Sequence, residues 1–142
     1  MGQQQLILLV LATIIVGLAI IVGIRAYSEN SNKAAVDAMM QDATRIANDA
    51  QSWHKRPAAM GGPGVTAGTI NFASATLKNL GYPTTTNVNT YVNENGTCVG
   101  TPVAASLTIV CTGVENTGNV IQVVVDGLSP GDIEGSITSI AN

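Results

Sequence analysis

The first 24 residues of the chain carry no charged side chain. Within them, residues 6–24 are apolar except for Thr13, Gly17 and Gly23. An α-helix rises about 1.5 Å per residue, so this segment measures roughly 28 Å as a helix and matches the hydrocarbon core of a bilayer. It is therefore long enough to span a membrane, and the rest of the chain must be arranged around it.

The flanks of the apolar segment disagree with a cleaved secretory signal. A signal peptide has a basic start and an apolar core of about 7–15 residues, whereas this segment is longer and has no cation before it. A simple anchor fits the length, but Arg25 and Lys33 follow the segment, and the positive-inside rule would then place the remainder in the cytoplasm. The C-terminal part of the chain is rich in β-branched residues and contains both cysteines, which instead favours export of that part from the cytoplasm. We expect a short basic leader to be removed after guiding insertion, which makes Met1 a mature N-terminus.

An amphipathic helix continues the apolar segment without a break. Residues 25–56 carry charges of alternating sign, and no Pro or Gly interrupts residues 25–53. Apolar side chains recur every three or four residues, at Ala35, Met39, Ala43, Ile46, Ala50 and Trp53. This spacing predicts one helix over residues 3–54, about 80 Å long, that packs its apolar stripe on a globular domain. Pro57 ends the helix, and His54 is expected at a solvated helix end.

Two glycines lie within the apolar half of this helix. Gly17 and Gly23 each weaken a helix by about 1 kcal/mol relative to alanine, so the stretch between them is a candidate for local unwinding or bending. Close packing of helices at small residues explains the same glycines equally well. Both interpretations stay open.

Turn chemistry marks the start of a second region after the helix. Residues 58–69 contain a Gly-Gly-Pro-Gly sequence and are predicted to form a loop. Ser74 is the predicted N-cap of a short helix that ends at Gly81. The chain is thus divided into three parts, an apolar half-helix (1–24), an amphipathic half-helix (25–56) and a β-rich head domain (57–142).

Short β-strands are predicted in the head domain at residues 90–93, 97–100, 104–111 and 120–126, with one more edge strand at 136–140. Asn95-Gly96 between the first two strands predicts a hairpin, and residues 113–119 connect a second one. One helix on a small antiparallel sheet is an α+β fold. Asn95-Gly96-Thr97 is also an N-glycosylation sequon, but the turn already explains these residues.

Composition excludes most chemistry and most charged partners. Charged residues make up only 11% of the chain and the net charge is -3, so the clustered cations that bind nucleic acid are missing. One histidine and two cysteines cannot build a multi-ligand zinc site or a nucleophile with its base. We therefore expect no enzyme activity and no cofactor. Asp126, Asp132 and Glu134 are weak candidates for Ca²⁺ ligands, and turn carboxylates at the surface are the preferred interpretation.

Cys98 and Cys111 are predicted to form a disulfide. They fall in neighbouring predicted strands, and an exported domain is in an oxidising compartment. Closing a loop of this size stabilises the fold by roughly 3 kcal/mol in the chain-entropy model. The alternative is a pair of buried free thiols.

The layout of the chain resembles a mature type IV pilin. The resemblance is carried by an uncharged start at Met1, the apolar segment directly after it, Tyr27 just beyond, and a long helix before a small sheet. It implies a leader cut by prepilin peptidase, which also methylates the amine of Met1. The family usually has glutamate at the fifth position, where this chain has Gln5, and a helix-breaking proline near Val22 and Gly23 is absent. Gln5 can accept a hydrogen bond from a neighbour's ammonium but cannot cancel its charge.

Cleavage after Gly2 is a second register for the mature chain. It would place Ile7 at the fifth position, and it fits the resemblance less well.

The resemblance and the apolar helix together predict a homo-polymer. Identical apolar helices can bury one another, and a head-to-tail contact that does not close generates a helical filament. The expected assembly contacts are Gln5, Leu6, Leu9, Ile14, Gly17 and Gly23. The subunit is expected as a single-pass protein of the inner membrane before assembly by the pilus machinery, and then in an extracellular pilus for adhesion, motility or attachment.

Two alternatives use the same residues. One is a pseudopilin of a type II secretion system, and the other is a single-span membrane-anchored binding domain. Monomeric behaviour in detergent would favour the anchored domain, whereas a short periplasmic fibre with a calcium site would favour the pseudopilin.

Overall fold

One long helix packed on a five-stranded antiparallel sheet makes up the protein. The computed structural model describes residues 2–66, 68–114 and 116–141. Helix α1 spans Gly2–His54, and two short 3-10 turns lie at Ala58–Met60 and Pro130–Asp132. The predicted α+β architecture is confirmed, and the helix follows the predicted bounds to within one residue.

The sheet is a meander in which each strand pairs with the next along the chain, in the order β1-β2-β3-β4-β5. Its strands are β1 Thr90–Val92, β2 Gly96–Pro102, β3 Leu107–Gly113, β4 Val120–Val125 and β5 Ile133–Ser139. Both predicted hairpins and the predicted edge strand are confirmed. At the first turn, Asn93 Oδ1 accepts the N–H of Gly96 at 2.8 Å, which closes the reversal between β1 and β2.

The core lies between the amphipathic half of α1 and one face of the sheet. Strand β3 alternates between buried and half-buried positions along its whole length, as expected for a sheet with one covered face. The helix contributes buried residues at Val36, Met39, Ala43, Ile46, Ala47, Ala50 and Trp53. The predicted stripe therefore faces the sheet, and its alanines let the helix approach the strands closely.

The predicted helix from Ser74 is wrong. Residues 77–81 form a single turn, closed by the N–H of Tyr82 on the carbonyl of Leu77 at 3.0 Å. Thr76 caps this turn in place of Ser74, because its Oγ1 accepts the N–H of Asn79 at 3.2 Å. The segment covers one end of the core and buries Leu77, so packing outweighs its weak helical tendency.

His54 is buried, which corrects the prediction of a solvated helix end. The side chain is only 4% exposed. Its Nε2 accepts the backbone N–H of Asn71 at 3.0 Å, and its ring lies 5.3 Å from that of Phe72. After Pro57 the chain turns back over the end of α1, so residues distant in sequence cover the ring.

Candidate assembly surface

The apolar half of α1 has no partner within the described chain. Every residue from 2 to 31 is exposed, and the large apolar side chains between Leu6 and Ile24 are 51% to 67% exposed. One stretch of the helix is long and apolar enough to cross a membrane. An isolated apolar helix of this size is unstable in water, because each fully buried Leu or Ile is worth about 1.5–3 kcal/mol. This surface must therefore be covered by lipid or by protein.

The predicted contact residues share one half of this helix. All six lie exposed in the apolar half, at Gln5, Leu6, Leu9, Ile14, Gly17 and Gly23. At about 100° per residue, all six fall within one half of the helix circumference, with Gln5, Leu9 and Gly23 toward one edge of that half and Leu6, Ile14 and Gly17 toward the other. A contact face of this width suits a helix that has more than one neighbour.

Two shallow grooves follow the helix surface. The first encloses about 340 Å³ between Leu6, Val10 and Ile14 and their neighbours. The second encloses about 400 Å³ and has Gly17 as part of its floor. Thr13 beside it donates its hydroxyl to the carbonyl of Val10 at 2.8 Å, so the groove carries no unpaired hydroxyl donor in an apolar setting. Both grooves have the size and the apolar lining that suit side chains of another helix.

No contact within the described residues requires glycine at Gly17 or Gly23. A Cβ at Gly17 or Gly23 would meet no atom within 4 Å outside the local helix backbone, and the helix is continuous through both positions. Small size at these sites is thus not required by the fold of one chain. Close contact with another helix and local unwinding during assembly both remain predictions.

The N-terminal site is described only in part. Met1, the predicted site of processing and methylation, lies outside the described residues. Gln5 is exposed on the first turns of α1. Its carboxamide is therefore available to a neighbouring molecule.

Polar contacts fix the head domain on the amphipathic half of α1. Asp42 Oδ2 accepts the side-chain amides of Asn93 at 2.6 Å and Asn95 at 2.7 Å. The first hairpin is therefore held on the helix by one carboxylate. Asn95, within the sequon, lies in the turn as predicted.

A second polar contact lies nearer the end of the helix. The hydroxyl of Tyr82 donates to Asp49 Oδ2 at 2.5 Å, and the Tyr82 ring meets that of Tyr91 edge-on at 5.1 Å. Burial of the phenol, with its hydrogen bond to the negative Asp49, raises the pKa of Tyr82 well above its ordinary value. Gln51 adds bonds from its Nε2 to the carbonyls of Gly127 and Ser129, at 3.0 and 2.9 Å.

The predicted disulfide is present in the sheet. Cys98 on β2 lies directly opposite Cys111 on β3, with their Cα atoms 4.0 Å apart and the two sulfurs bonded. Both side chains are almost fully buried. The bond joins the β1–β2 hairpin to the β3–β4 hairpin within the core.

The three candidate calcium ligands differ in their contacts. Asp132 Oδ2 accepts the backbone N–H of Ser129 at 2.8 Å in a capping box. Asp126 donates its N–H to the Asp132 carbonyl, and Glu134 lies exposed on edge strand β5. Within residues 2–66, 68–114 and 116–141, no group of three His, Cys, Asp or Glu side chains is arranged to hold a metal ion. The capping role of Asp132 was missed in the sequence, although Ser-Pro-Gly-Asp is a recognisable signal for it.

Comparisons with family models, with curated proteins and with solved structures returned no match. The class of protein is therefore argued from the fold and from the exposed helix. These describe a long N-terminal helix, apolar in its first half, that carries a disulfide-bonded antiparallel head domain, an arrangement compatible with a pilin-like fold.

Proposed function

We propose that the chain is the structural subunit of an extracellular filament of the type IV pilus kind. The observation that supports this most directly is the full exposure of the apolar half of α1, continuous with a half that is firmly packed on the head. A long apolar helix attached to a polar head domain suits a helical polymer with a buried apolar core. The proposed role is structural, with no catalysis and no cofactor.

The energetics of assembly follow from the same surface. In the membrane the helix is already out of water, so transfer into a bundle of identical helices gains little from the hydrophobic effect. Association there depends on close packing, and small residues let helix backbones approach. Gly17 and Gly23 supply such sites about 120° apart around the helix, which suits a core where each subunit has several neighbours. A head-to-tail contact repeated without closure then extends the filament.

The N-terminal amine has a polar partner available in this scheme. In the proposed filament, Gln5 of one subunit accepts a hydrogen bond from the methylated amine of a neighbour's Met1. A buried ammonium without a negative partner is costly, so this contact is expected to be weaker than one with a carboxylate. The proposal includes a single-pass state in the inner membrane before prepilin peptidase and the pilus machinery act, and a pilus serving adhesion, motility or surface attachment. Nucleic acid is not a proposed partner.

The first test combines intact mass spectrometry with negative-stain microscopy on material sheared from cells. Thin fibres whose subunit begins at a methylated Met1, and whose mass is two hydrogens below that of the reduced chain, are the expected result. An unmethylated chain found only in detergent-solubilised membranes would overturn the filament and favour a membrane-anchored domain. A short fibre confined to the periplasm would favour a pseudopilin.

A variant separates filament assembly from membrane insertion. Gly17→Leu adds an apolar side chain where nothing in the subunit obstructs it, so the fold and membrane insertion should be unchanged. Filament yield should fall by at least about tenfold if another helix packs against this position, since overpacking a close contact costs about 1–3 kcal/mol. Gly17→Ala, which adds only a methyl group at the same position, is the graded control and should lower the yield less. Normal fibre yield from Gly17→Leu would contradict the proposed packing.

A further inference from the structure

A cavity of about 470 Å³ lies at the C-terminal end of α1, at the opposite end of the helix from the apolar half. Its lining is mixed in chemistry. It combines the cationic Lys55 and Arg56 and the imidazole of His54 with the apolar side chains of Pro57, Val65 and Leu128. The volume is in the range of small-molecule sites, which are typically about 300–1,000 Å³.

The lining of this cavity is positively charged, whereas the chain as a whole has a net negative charge. The protein has six Lys and Arg residues against nine Asp and Glu, yet two of the six are adjacent here. No Asp or Glu is found among the described residues that line the cavity. Lys55 and Arg56 are both exposed, so their charges can reach a ligand in it.

The buried histidine adds a second ring nitrogen to the lining of the cavity. Because His54 Nε2 accepts the N–H of Asn71, the proton of the neutral ring lies on Nδ1. The ring is held by this bond and by its packing against Phe72. His54 therefore has a defined tautomer and a defined orientation without any ligand.

The beginning of the loop that lines the cavity is held in place by the helix end. Trp53 Nε1 donates to the carbonyl of Gly61 at 2.9 Å, and the N–H of Gly62 donates to that of Pro57 at 3.2 Å. A Cβ at Gly62 would overlap the carbonyl oxygen of Arg56, so the backbones touch there. The first part of the loop is thus ordered without a ligand, which reduces the ordering cost of binding.

Cations at a helix C-terminus also have a simpler explanation, since they interact favourably with the helix dipole. That effect accounts for the charges of Lys55 and Arg56, but it requires neither a closed loop nor a histidine with a defined tautomer. The dipole itself places only about half a negative charge at the helix end. Two full positive charges exceed it, so the net field in the cavity favours an anion.

We propose that this cavity binds a small organic phosphate. Lys55 and Arg56 contact the phosphate oxygens, and the Nδ1–H of His54 donates to the same group. The neutral part of the ligand packs on Pro57, Val65 and Leu128. Arginine and lysine are the residues that most often bind phosphate, and the apolar lining residues explain a volume larger than a free phosphate ion needs.

The single histidine makes a direct test feasible. The full, oxidised chain in detergent micelles is labelled with ¹⁵N-histidine and titrated with glucose 1-phosphate, with inorganic phosphate and with glucose. We expect saturable shifts of the His54 ring nitrogens with glucose 1-phosphate at about 1 mM or below, weaker binding of inorganic phosphate, and no shift with glucose. Absence of a saturable shift, or equal affinity for inorganic phosphate, would overturn the proposal.

A charge-matched pair of variants completes the experiment. Lys55→Gln with Arg56→Gln should weaken glucose 1-phosphate binding at least about tenfold, whereas Arg45→Gln with Lys78→Gln removes two exposed cations elsewhere and should leave it unchanged. Equal weakening by both pairs would show a general charge effect and refute the site. The measurement uses the unassembled subunit, so its outcome is independent of whether the chain polymerises.

Discussion

The disulfide between Cys98 and Cys111 should provide a large part of the stability of the head domain. The two residues are 13 positions apart. In the chain-entropy model, cross-linking a loop of that length removes about 10 cal/mol/K from the unfolded chain, which is about 3 kcal/mol at 25 °C. Whole domains are stable by only about 5–15 kcal/mol. Loss of the bond should therefore lower the midpoint of thermal unfolding by about 12–24 °C for a domain of this size.

The assay can use the only tryptophan as a local probe. Trp53 is 2% exposed and lies in the core under the sheet, so its fluorescence reports unfolding of the head. The oxidised chain is compared in detergent micelles with the same chain after reduction in denaturant and refolding with reductant present. The reduced wild type keeps both sulfur atoms, so it isolates the effect of the cross-link from the cavity that Cys→Ala substitutions would leave.

Burial of the bond adds a kinetic expectation. Because both cysteines are almost fully buried, a reductant should attack the bond only after the head opens. Reduction under native conditions should then be slow, and it should accelerate with denaturant. A reduced head within about 0.5 kcal/mol of the oxidised one would refute the loop-entropy reasoning, and fast native reduction would refute the burial.

The remaining predictions concern single side chains. Gln5→Glu should preserve or accelerate filament assembly measured by fibre yield, because a carboxylate neutralises an ammonium better than an amide; a strong defect would contradict the chosen N-terminal register. Asp42→Ala should destabilise the head by about 1–3 kcal/mol in urea titrations, because two amide donors of the first hairpin lose their acceptor, and an unchanged midpoint would refute this. Since the folded-state pKa of Tyr82 is raised, its contribution to stability is full below about pH 10 and falls as the pH rises above that value; Tyr82→Phe should flatten this alkaline loss, and an identical pH profile would contradict it. Gly62→Ala should lower stability by at least about 1 kcal/mol, because the added Cβ overlaps the Arg56 carbonyl, and an unaffected melting temperature would argue against the close contact.

Much of the fold was predictable from local patterns. The helix was predicted at 3–54 and found at Gly2–His54. The segment contains no proline, and its apolar residues are continuous in the first half and spaced at the helical period in the second, so one continuous helix is favoured. The hairpin at Asn95-Gly96 was predictable for a similar reason, since few turns accept that pair. Pairing of Cys98 with Cys111 followed once their strands were adjacent.

Sequence-based prediction failed for the segment around Ser74, which has no regular hydrophobic period, and for the burial of His54. Ser74 has the side chain of an N-cap residue, but the segment around it crosses the core without forming a helix. Burial of Phe72 and Leu77 determines the path of this segment. His54 looked solvated because Lys55 and Arg56 follow it. Only the return of the chain to Asn71 covers its ring.

The candidate assembly surface was predictable to the extent that exposure follows from composition. An apolar segment without a second apolar element of matching length in the chain has nothing to pack against, and the structure shows it exposed. Its arrangement around the helix also follows from the helical period, which places Gln5 and Gly17 on different sides. The cavity at the other end was not predictable, because its lining combines residues more than seventy positions apart, at His54 and Leu128.

The sequence by itself determined the long helix, its division into an apolar and an amphipathic half, and the strands of the head. These depend on periodicities of 3.6 and 2 residues and on turn chemistry, all of which act over a few neighbouring residues. Only the tertiary structure decided that His54 is buried, that Asp42 holds the first hairpin, and that a cationic cavity lies at the end of the helix. Those features arise when distant segments compete to cover the same core, and burial outweighs the local preference of either segment.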